Sequence, residues 1–291
     1  MSINKLKGVL SGAALVAMAL FSGNASADWT LNMPEGVTPI SHDVYHLHML
    51  IFTVCVVIAA IVFGAMIFSI IFHRKSRGVQ PAHFHESTTV EIVWTVIPFL
   101  ILVAMAIPAA KVLVKMEDFS GTDMSIKITG YQWKWRYTYM GEGVDYYSTL
   151  ADSSNKARQV RSGIDPNSVD HYLLDVDHPL VVPTHKKIRL LITSGDVIHS
   201  WWVPDFGGKK DAIPGFINHY WIEVDKPGTY RGQCAELCGR GHAFMPIVVV
   251  AKTPEEFKSW LAEQKKQSGS DQGQSMAMQA GGAPSTLTAA R

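Results

Sequence analysis

Two long apolar runs decide most of what this chain can be. Residues 49–72 contain no charged side chain, and neither do residues 92–110, whose apolar edge continues to Val114. A helix needs about 20 apolar residues to cross the hydrocarbon core of a bilayer. Within lipid, only a helix or a closed barrel can satisfy its own backbone. A soluble helix of this length carries a polar stripe, and neither run has one. The sequence therefore predicts a transmembrane helical hairpin over residues 28–121, with spans near 49–72 and 92–114. His73-Arg74-Lys75-Ser76-Arg77 follows the first span directly, and basic connections of this kind stay in the cytoplasm. The N-terminus and everything after the second span are expected outside. Pro98 and Pro108 would bend the second helix, which a membrane helix tolerates when neighbouring groups satisfy the freed carbonyls.

Residues 1–27 read as a cleaved secretory signal. Lys5 and Lys7 form a basic start, residues 9–21 an apolar run too short to span comfortably, and Ala25-Ser26-Ala27 a small-residue cleavage site. Cleavage would leave Asp28 first, on the outer side, in agreement with the basic loop. Charged residues make up 18% of the chain and hydrophobic ones 47%, a mixture suited to a protein that is part membrane and part soluble. The formal net charge is +1 from 26 basic and 25 acidic residues; loss of Lys5 and Lys7 leaves 24 against 25, or −1. No field for nucleic acid follows from that balance. Membrane lipid is an expected partner, and a charged protein partner must be recognised by a local patch.

Beyond about Asp123 the pattern changes to short apolar or alternating runs. Residues 125–139, 180–183, 188–193, 219–224, 228–232 and 246–251 read as strands. Ser194-Gly195-Asp196, Phe206-Gly207-Gly208, Ile213-Pro214-Gly215 and Lys226-Pro227-Gly228 break them. Short strands at this spacing predict an all-β sandwich or barrel over residues 122–266. Residues 253–266 resemble a closing amphipathic helix, with Thr253 before Pro254 and Glu256 three positions on. The remainder, 267–291, is rich in Ser, Gly, Gln and Ala and is expected to be a disordered tail.

The strongest chemical signal is Cys234-Ala-Glu-Leu-Cys238-Gly-Arg-Gly-His242-Ala-Phe-Met245, with His199 upstream in Asp196-Val-Ile-His199-Ser-Trp-Trp-Val-Pro204. Soft sulfur combined with imidazole favours copper among first-row metals. Two cysteines in an oxidising compartment could instead form a disulfide. Zinc also accepts two Cys and two His, and the Cys spacing does not exclude it, although zinc gives no reason for Met245. A mononuclear blue-copper site needs one thiolate and leaves the second Cys surplus. A binuclear copper site uses every donor. Cys55 lies in the first span and reads as a small packing residue.

The block from Cys234 to Met245, the His199 segment and Gly207-Gly-Lys-Lys-Asp-Ala-Ile-Pro-Gly215 together resemble the CuA domain of cytochrome c oxidase subunit II. The similarity runs from the first span to about Lys266 and includes Tyr131-Gln-Trp-Lys-Trp135 and Val90-Glu-Ile-Val-Trp-Thr-Val-Ile-Pro98. It implies an N-terminal two-helix transmembrane hairpin followed by an all-β cupredoxin-like barrel, in a bacterial inner membrane with the barrel in the periplasm. It implies that Cys234 and Cys238 bridge two copper ions, that His199 and His242 each bind one, that Met245 is a weak ligand and that Glu236 gives a backbone carbonyl. The Glu236 side chain would reach a magnesium ion shared with subunit I. By the same resemblance the chain takes electrons from ferrocytochrome c and passes them to haem a of subunit I. Haem a3-CuB lies in that subunit too, and oxygen is reduced there to water with proton pumping. Subunits I and III are the implied partners in the complex. A quinol oxidase subunit shares the anchor and barrel but lacks the copper ligands, and a zinc-binding structural domain is the rival from another class.

Other residues gain roles only through the resemblance. Tyr131, Trp133, Trp135, Tyr137 and Tyr139 alternate with polar residues and would share one strand face, an ordinary core face. Trp133 matches the tryptophan that receives the electron, which requires a twist or bulge to turn it outward. Asp177 and Asp196 match acidic docking positions for cytochrome c, although a single Asp here is more often a turn former; Thr138 stands where some relatives carry an acid. Glu91 matches the glutamate at the mouth of a proton channel; read by itself it is an interfacial charge at a helix start. His42, His46 and His48 read as interfacial.

Overall fold

Thr38 decides where the first helix starts. Its hydroxyl accepts from the Ser41 amide (3.0 Å) while its own amide donates to the Ser41 hydroxyl (2.9 Å), a reciprocal cap that satisfies two orphan groups. Helix α1 (Pro39–Phe72) therefore begins ten residues before the apolar run. Those first turns carry Ser41, His42, Asp43, His46 and His48; Ser41 is buried and His42 lies 3.6 Å from Asp225 of the barrel. The computed structural model describes residues 32–80, 83 and 85–280, the side chains of 268–280 excepted. The expected signal segment 1–27 and residues 281–291 lie outside the described residues. The unit that begins at Glu35 holds both the hairpin and the barrel.

Helix α2 (Thr88–Met116) contains both Pro98 and Pro108 and presents no buried residue. Both helices meet the length and hydropathy expected of a membrane span. Their ends meet the same object. The Lys115 ammonium pairs with Asp43, and the Trp221 indole donates to the Lys115 carbonyl (3.2 Å), satisfying one of the last carbonyls of α2. At the other helix, the Thr38 hydroxyl donates to Phe206 O (3.1 Å) and the Val37 amide to Asp205 O (2.9 Å). With the start of α1 and the end of α2 both on the barrel, the basic loop after Phe72 is placed at the far end of the hairpin, as its charge predicts.

Ten strands form two five-stranded sheets. One has the order β3 (Val144–Ser148), β2 (Lys134–Tyr139), β1 (Met124–Tyr131), β5 (Ile188–Ser194), β8 (Asn218–Ile222). The other runs β4 (Leu180–Pro183), β10 (Pro246–Lys252), β9 (Gly228–Cys234), β6 (His199–Val203), β7 (Gly208–Ala212). The β1–β5 and β4–β10 pairs are parallel and the others antiparallel. Alternation puts Ile126, Ile128, Trp135, Tyr137, Leu190 and Ile192 of the first sheet against Leu180, Val182, Trp201, Val203, Ile247 and Val249 of the second. This is the cupredoxin-like barrel. A short helix α3 (Asp152–Ala157) lies on the long connection from β3 to β4.

Two expectations need correction. Residues 125–139 are not one strand: β1 and β2 form a hairpin, with Tyr131 opposite Lys134 and only Gln132 and Trp133 between them. Trp135, Tyr137 and Tyr139 do share a buried face, but Trp133 sits at the turn, only partly buried against the core, and Tyr131 falls on the other face of β1 beside Tyr147. The closing helix α4 (Pro254–Ala280) starts as predicted and runs past Lys266. Its start is fixed by Thr253, whose amide and hydroxyl both reach Glu256 Oε2 at 3.0 Å. Phe257 and Trp260 then stack on Tyr139. No proline interrupts the chain between Pro254 and Ala280, and a glycine costs a helix only about 1 kcal/mol, so the helix runs on through Gly269 and Gly273.

Candidate metal centre

The donors converge because two strands and one loop meet. Trp201 of β6 pairs with Cys234 at the end of β9, so His199, two residues earlier on β6, lies beside that cysteine. The chain then leaves β9 at Cys234 and returns at Pro246, which pairs with Gln233. Backbone bonds tie the loop between them: Ala235 N–H to Ser200 O (3.0 Å), His242 N–H to Gly239 O (3.1 Å) and Cys234 N–H to Met245 O (3.3 Å). Gly239 adopts φ +110°, which excludes other residues from this bend.

Inside the loop, Cys234 Sγ is 3.8 Å from Cys238 Sγ and 3.9 Å from His199 Nδ1. Cys238 Sγ is 3.6 Å from His242 Nδ1 and 3.5 Å from Met245 Sδ. The Glu236 carbonyl oxygen is 3.3 Å from Cys234 Sγ. His199, both cysteines and Met245 are buried. Both cysteines are free thiols. The ligand atoms of His199, Cys234 and Cys238 all lie within 4.8 Å of one another. This set fits copper: the thioether beside Cys238 has no use in a zinc site, and each sulfur lies next to one imidazole, Cys234 by His199 and Cys238 by His242.

Protonation favours cations here. Burial opposes ionisation of Cys234, but the His199 ring and the amides around it prevail and bring its thiol down to about 7. Burial, and then the charge on Cys234, push Cys238 the other way. Ionisation of one cysteine thus opposes ionisation of the other. Keeping both ionised requires positive charge between them.

The imidazole of His199 is aimed from behind. Its Nε2 is 2.9 Å from Asp196 Oδ1 and must donate to it, which leaves Nδ1 free to face the cysteines. Asp196 is held below the usual carboxylate range: burial raises it, but the His199 ring and the amides of Gln132 and Val197 more than offset that. Gly130 lies under the same ring, and a Cβ there would fall 2.9 Å from His199 Cδ2.

Trp133 joins the group through the turn. Its indole Nε1 donates to Cys238 O (3.2 Å), and the Gln132 side-chain amide donates to the same oxygen (2.9 Å). Gly241 packs flat on the indole, where a Cβ would collide with the ring. The structure thus brings together His199, Cys234, Glu236, Cys238, His242, Met245, Asp196 and Trp133. Asp177 stands apart on the approach to β4, accepting from the Thr149 amide and hydroxyl, both at 2.7 Å. Glu91 stands in the exposed first turn of α2. Gln132, Gly130 and Gly241 had no signal of their own; a glycine or glutamine announces a close approach only once its neighbour in space is known.

Comparison with known proteins agrees with this geometry. Residues 124–252 match the family model described as cytochrome c oxidase subunit II, periplasmic domain, and residues 26–112 match its transmembrane domain. The probable cytochrome c oxidase subunit 2 of Rickettsia felis is 38% identical over 87% of this chain and 79% of that protein. The cytochrome c oxidase subunit 2 of Arabidopsis thaliana is 37% identical over 83% and 92%. The crystal structure of the periplasmic domain of subunit II of cytochrome oxidase of Bradyrhizobium japonicum is 41% identical, covers 52% of this chain and 99% of that one, and superposes with a TM-score of 0.44. Two membrane helices, a periplasmic barrel and a soft-donor metal site thus identify the chain as a member of the cytochrome c oxidase subunit II family, a subunit of an oxidoreductase complex.

Proposed function

We propose that the chain accepts electrons singly from ferrocytochrome c and passes them to haem a of subunit I, where oxygen is reduced with proton pumping. One observation carries this reading: two thiols, two imidazoles, a thioether and a peptide carbonyl meet in one mostly buried cluster. Cys234 and Cys238 would bridge two copper ions, with His199, His242, Met245 and the Glu236 carbonyl completing the set. Such a pair supplies a one-electron carrier whose bound geometry changes little. The chain's own residues do the rest. Asp196 orients His199, and burial keeps competing water from the sulfurs. The Trp133 indole, hydrogen-bonded to Cys238 O at a partly exposed turn, offers a hydrogen-bonded route from the surface.

The finer assignments belong to the same reading. The Glu236 side chain reaches a magnesium ion at the boundary with subunit I, and Glu91 admits protons from the cytoplasmic side. Subunits I and III pack on the exposed apolar faces of the hairpin. Residues 1–27 are removed on export to the periplasmic side of a bacterial inner membrane.

Metal analysis of the purified complex tests the proposal. Two coppers bound by this chain with a multi-line mixed-valence paramagnetic signal are expected, lost together in Cys234→Ser. Zinc without a signal, or one copper, would overturn it. Trp133→Ala should slow reduction by ferrocytochrome c with both coppers retained.

A further inference from the structure

Beside the metal loop, on the side of the Gln132-Trp133 turn, the barrel surface sinks into a cavity of about 520 Å³. Three separate segments build it: Trp133 at the hairpin turn, Leu150 and α3 with Asn155 and Arg158, and the metal loop with Arg240 and Phe244. Among the described residues no carboxylate lines it. Among the same residues the barrel's arginine ion pairs are Arg136–Asp145 and Arg231–Asp175, and Arg158 and Arg240 belong to neither.

Both guanidiniums are held by aromatic rings instead. Arg158 lies 4.3 Å over Phe244, with its Nε donating to Asn155 Oδ1 at 2.8 Å. Arg240 lies 5.7 Å over Trp133. Stacking fixes the plane of a guanidinium and leaves its outer N–H fork for a planar or tetrahedral oxyanion. The nearest acid in bonding terms is Asp177, on the far side of Thr149, with its oxygens engaged by the Thr149 amide and hydroxyl.

Two unpaired positive charges on one concavity match a dianion better than a carboxylate. The space is several times what a bare phosphate fills and falls in the range of small-molecule sites. Its remaining walls are the apolar Trp133, Leu150 and Phe244, with Thr149, Asn155 and Gly241 between them. We propose that this cavity binds an organic phosphate, with the phosphate group between Arg158 and Arg240 and the organic part against Trp133, Leu150 and Phe244. The site does not depend on electron acceptance by Trp133, which serves here only as a wall.

The test uses the full chain in its oxidase complex, titrated with phenyl phosphate and with inorganic phosphate by calorimetry and 31P line broadening. Saturable binding at one site per chain is expected, tighter for phenyl phosphate. Arg158→Ala and Arg240→Ala should each weaken it at least about tenfold, the worth of a charge-assisted hydrogen bond. The visible copper absorption reports whether each variant keeps its metal loop. Should Arg240→Ala lose copper, Arg158→Ala on α3 decides alone. Absence of saturable binding, or binding that Arg158→Ala leaves unchanged, overturns the proposal. So does an Arg158→Glu variant whose complex binds phenyl phosphate normally but is reduced more slowly by its protein donor, because the arginines would then serve that partner.

Discussion

Asp196 sits where two roles compete, and one substitution pair separates them. As a docking acid it would face a protein partner; in the structure it holds His199 and the Trp133 turn. Its Oδ1 accepts from His199 Nε2 (2.9 Å) and the Val197 amide (2.6 Å), and its Oδ2 from the Gln132 amide (2.7 Å). Asn offers one oxygen and one NH2 in the same space. The oxygen should stay with the two donors at Oδ1, which turns the NH2 toward the Gln132 amide and releases the turn. His199 keeps an acceptor, but a neutral one. Ala removes the acceptor of a fully buried imidazole and the acceptor of the Gln132 amide. Loss of the group that orients a metal-binding histidine costs about 10- to 100-fold in affinity, or about 1.4–2.7 kcal/mol. Asp196→Asn should fall near the lower bound and Asp196→Ala near the upper. Chelator competition on the purified complex, followed by copper absorption, measures both. Affinity in Asp196→Ala within about twofold of the parent would refute the positioning argument, and slower donor oxidation with unchanged affinity would assign the residue to docking.

Four further outcomes follow from other parts of the molecule. Tyr139 accepts from the buried Val181 amide (3.0 Å) and donates to its carbonyl (2.7 Å), so Tyr139→Phe strands both groups and should cost about 1–3 kcal/mol in denaturant unfolding without changing copper absorption. Gly207 has φ +76°, and a Cβ there would fall 2.5 Å from the Ser41 Cα; Gly207→Ala should loosen the start of α1, read as faster proteolysis near residues 36–41, and an unchanged digest would count against the anchor. Asp123 is held low, first by the Lys186 side chain and then by the Lys187 amide. A depressed carboxyl stabilises above its unfolded value, about 4, and loses that contribution as pH falls through its folded value; Asp123→Asn should therefore be less stable than the parent at pH 7 and converge with it in acid, and a constant gap would contradict the pairing. Glu91→Ala should slow turnover of the complex with copper content unchanged.

Which parts of this could be read in advance follows from the range of the forces involved. The spans were legible because lipid imposes a continuous requirement on every residue of a run, and no tertiary detail relaxes it. The metal donors were legible because soft ligands are rare and four of the five side chains fall within one loop. Strands β4, β5, β9 and β10 were legible because burial on one or both faces writes a periodic signal. Strands β3, β6 and β7 were not: Gly208-Lys-Lys-Asp-Ala212 is a strand only because β6 lies beside it, and its own residues disfavour one. The hairpin turn at Gln132-Trp133 lacks the Gly, Asn or Asp by which two-residue turns are recognised, so the aromatic alternation ran straight through it and placed Trp133 in the core. What holds that turn is remote in sequence: the Asp196 carboxylate, the Cys238 carbonyl and the bare face of Gly241. These contacts also fasten the turn to the metal loop. Periodicity misplaced Trp133 because its position is set by the metal site rather than by its strand, and a local pattern can report only what a local force has fixed.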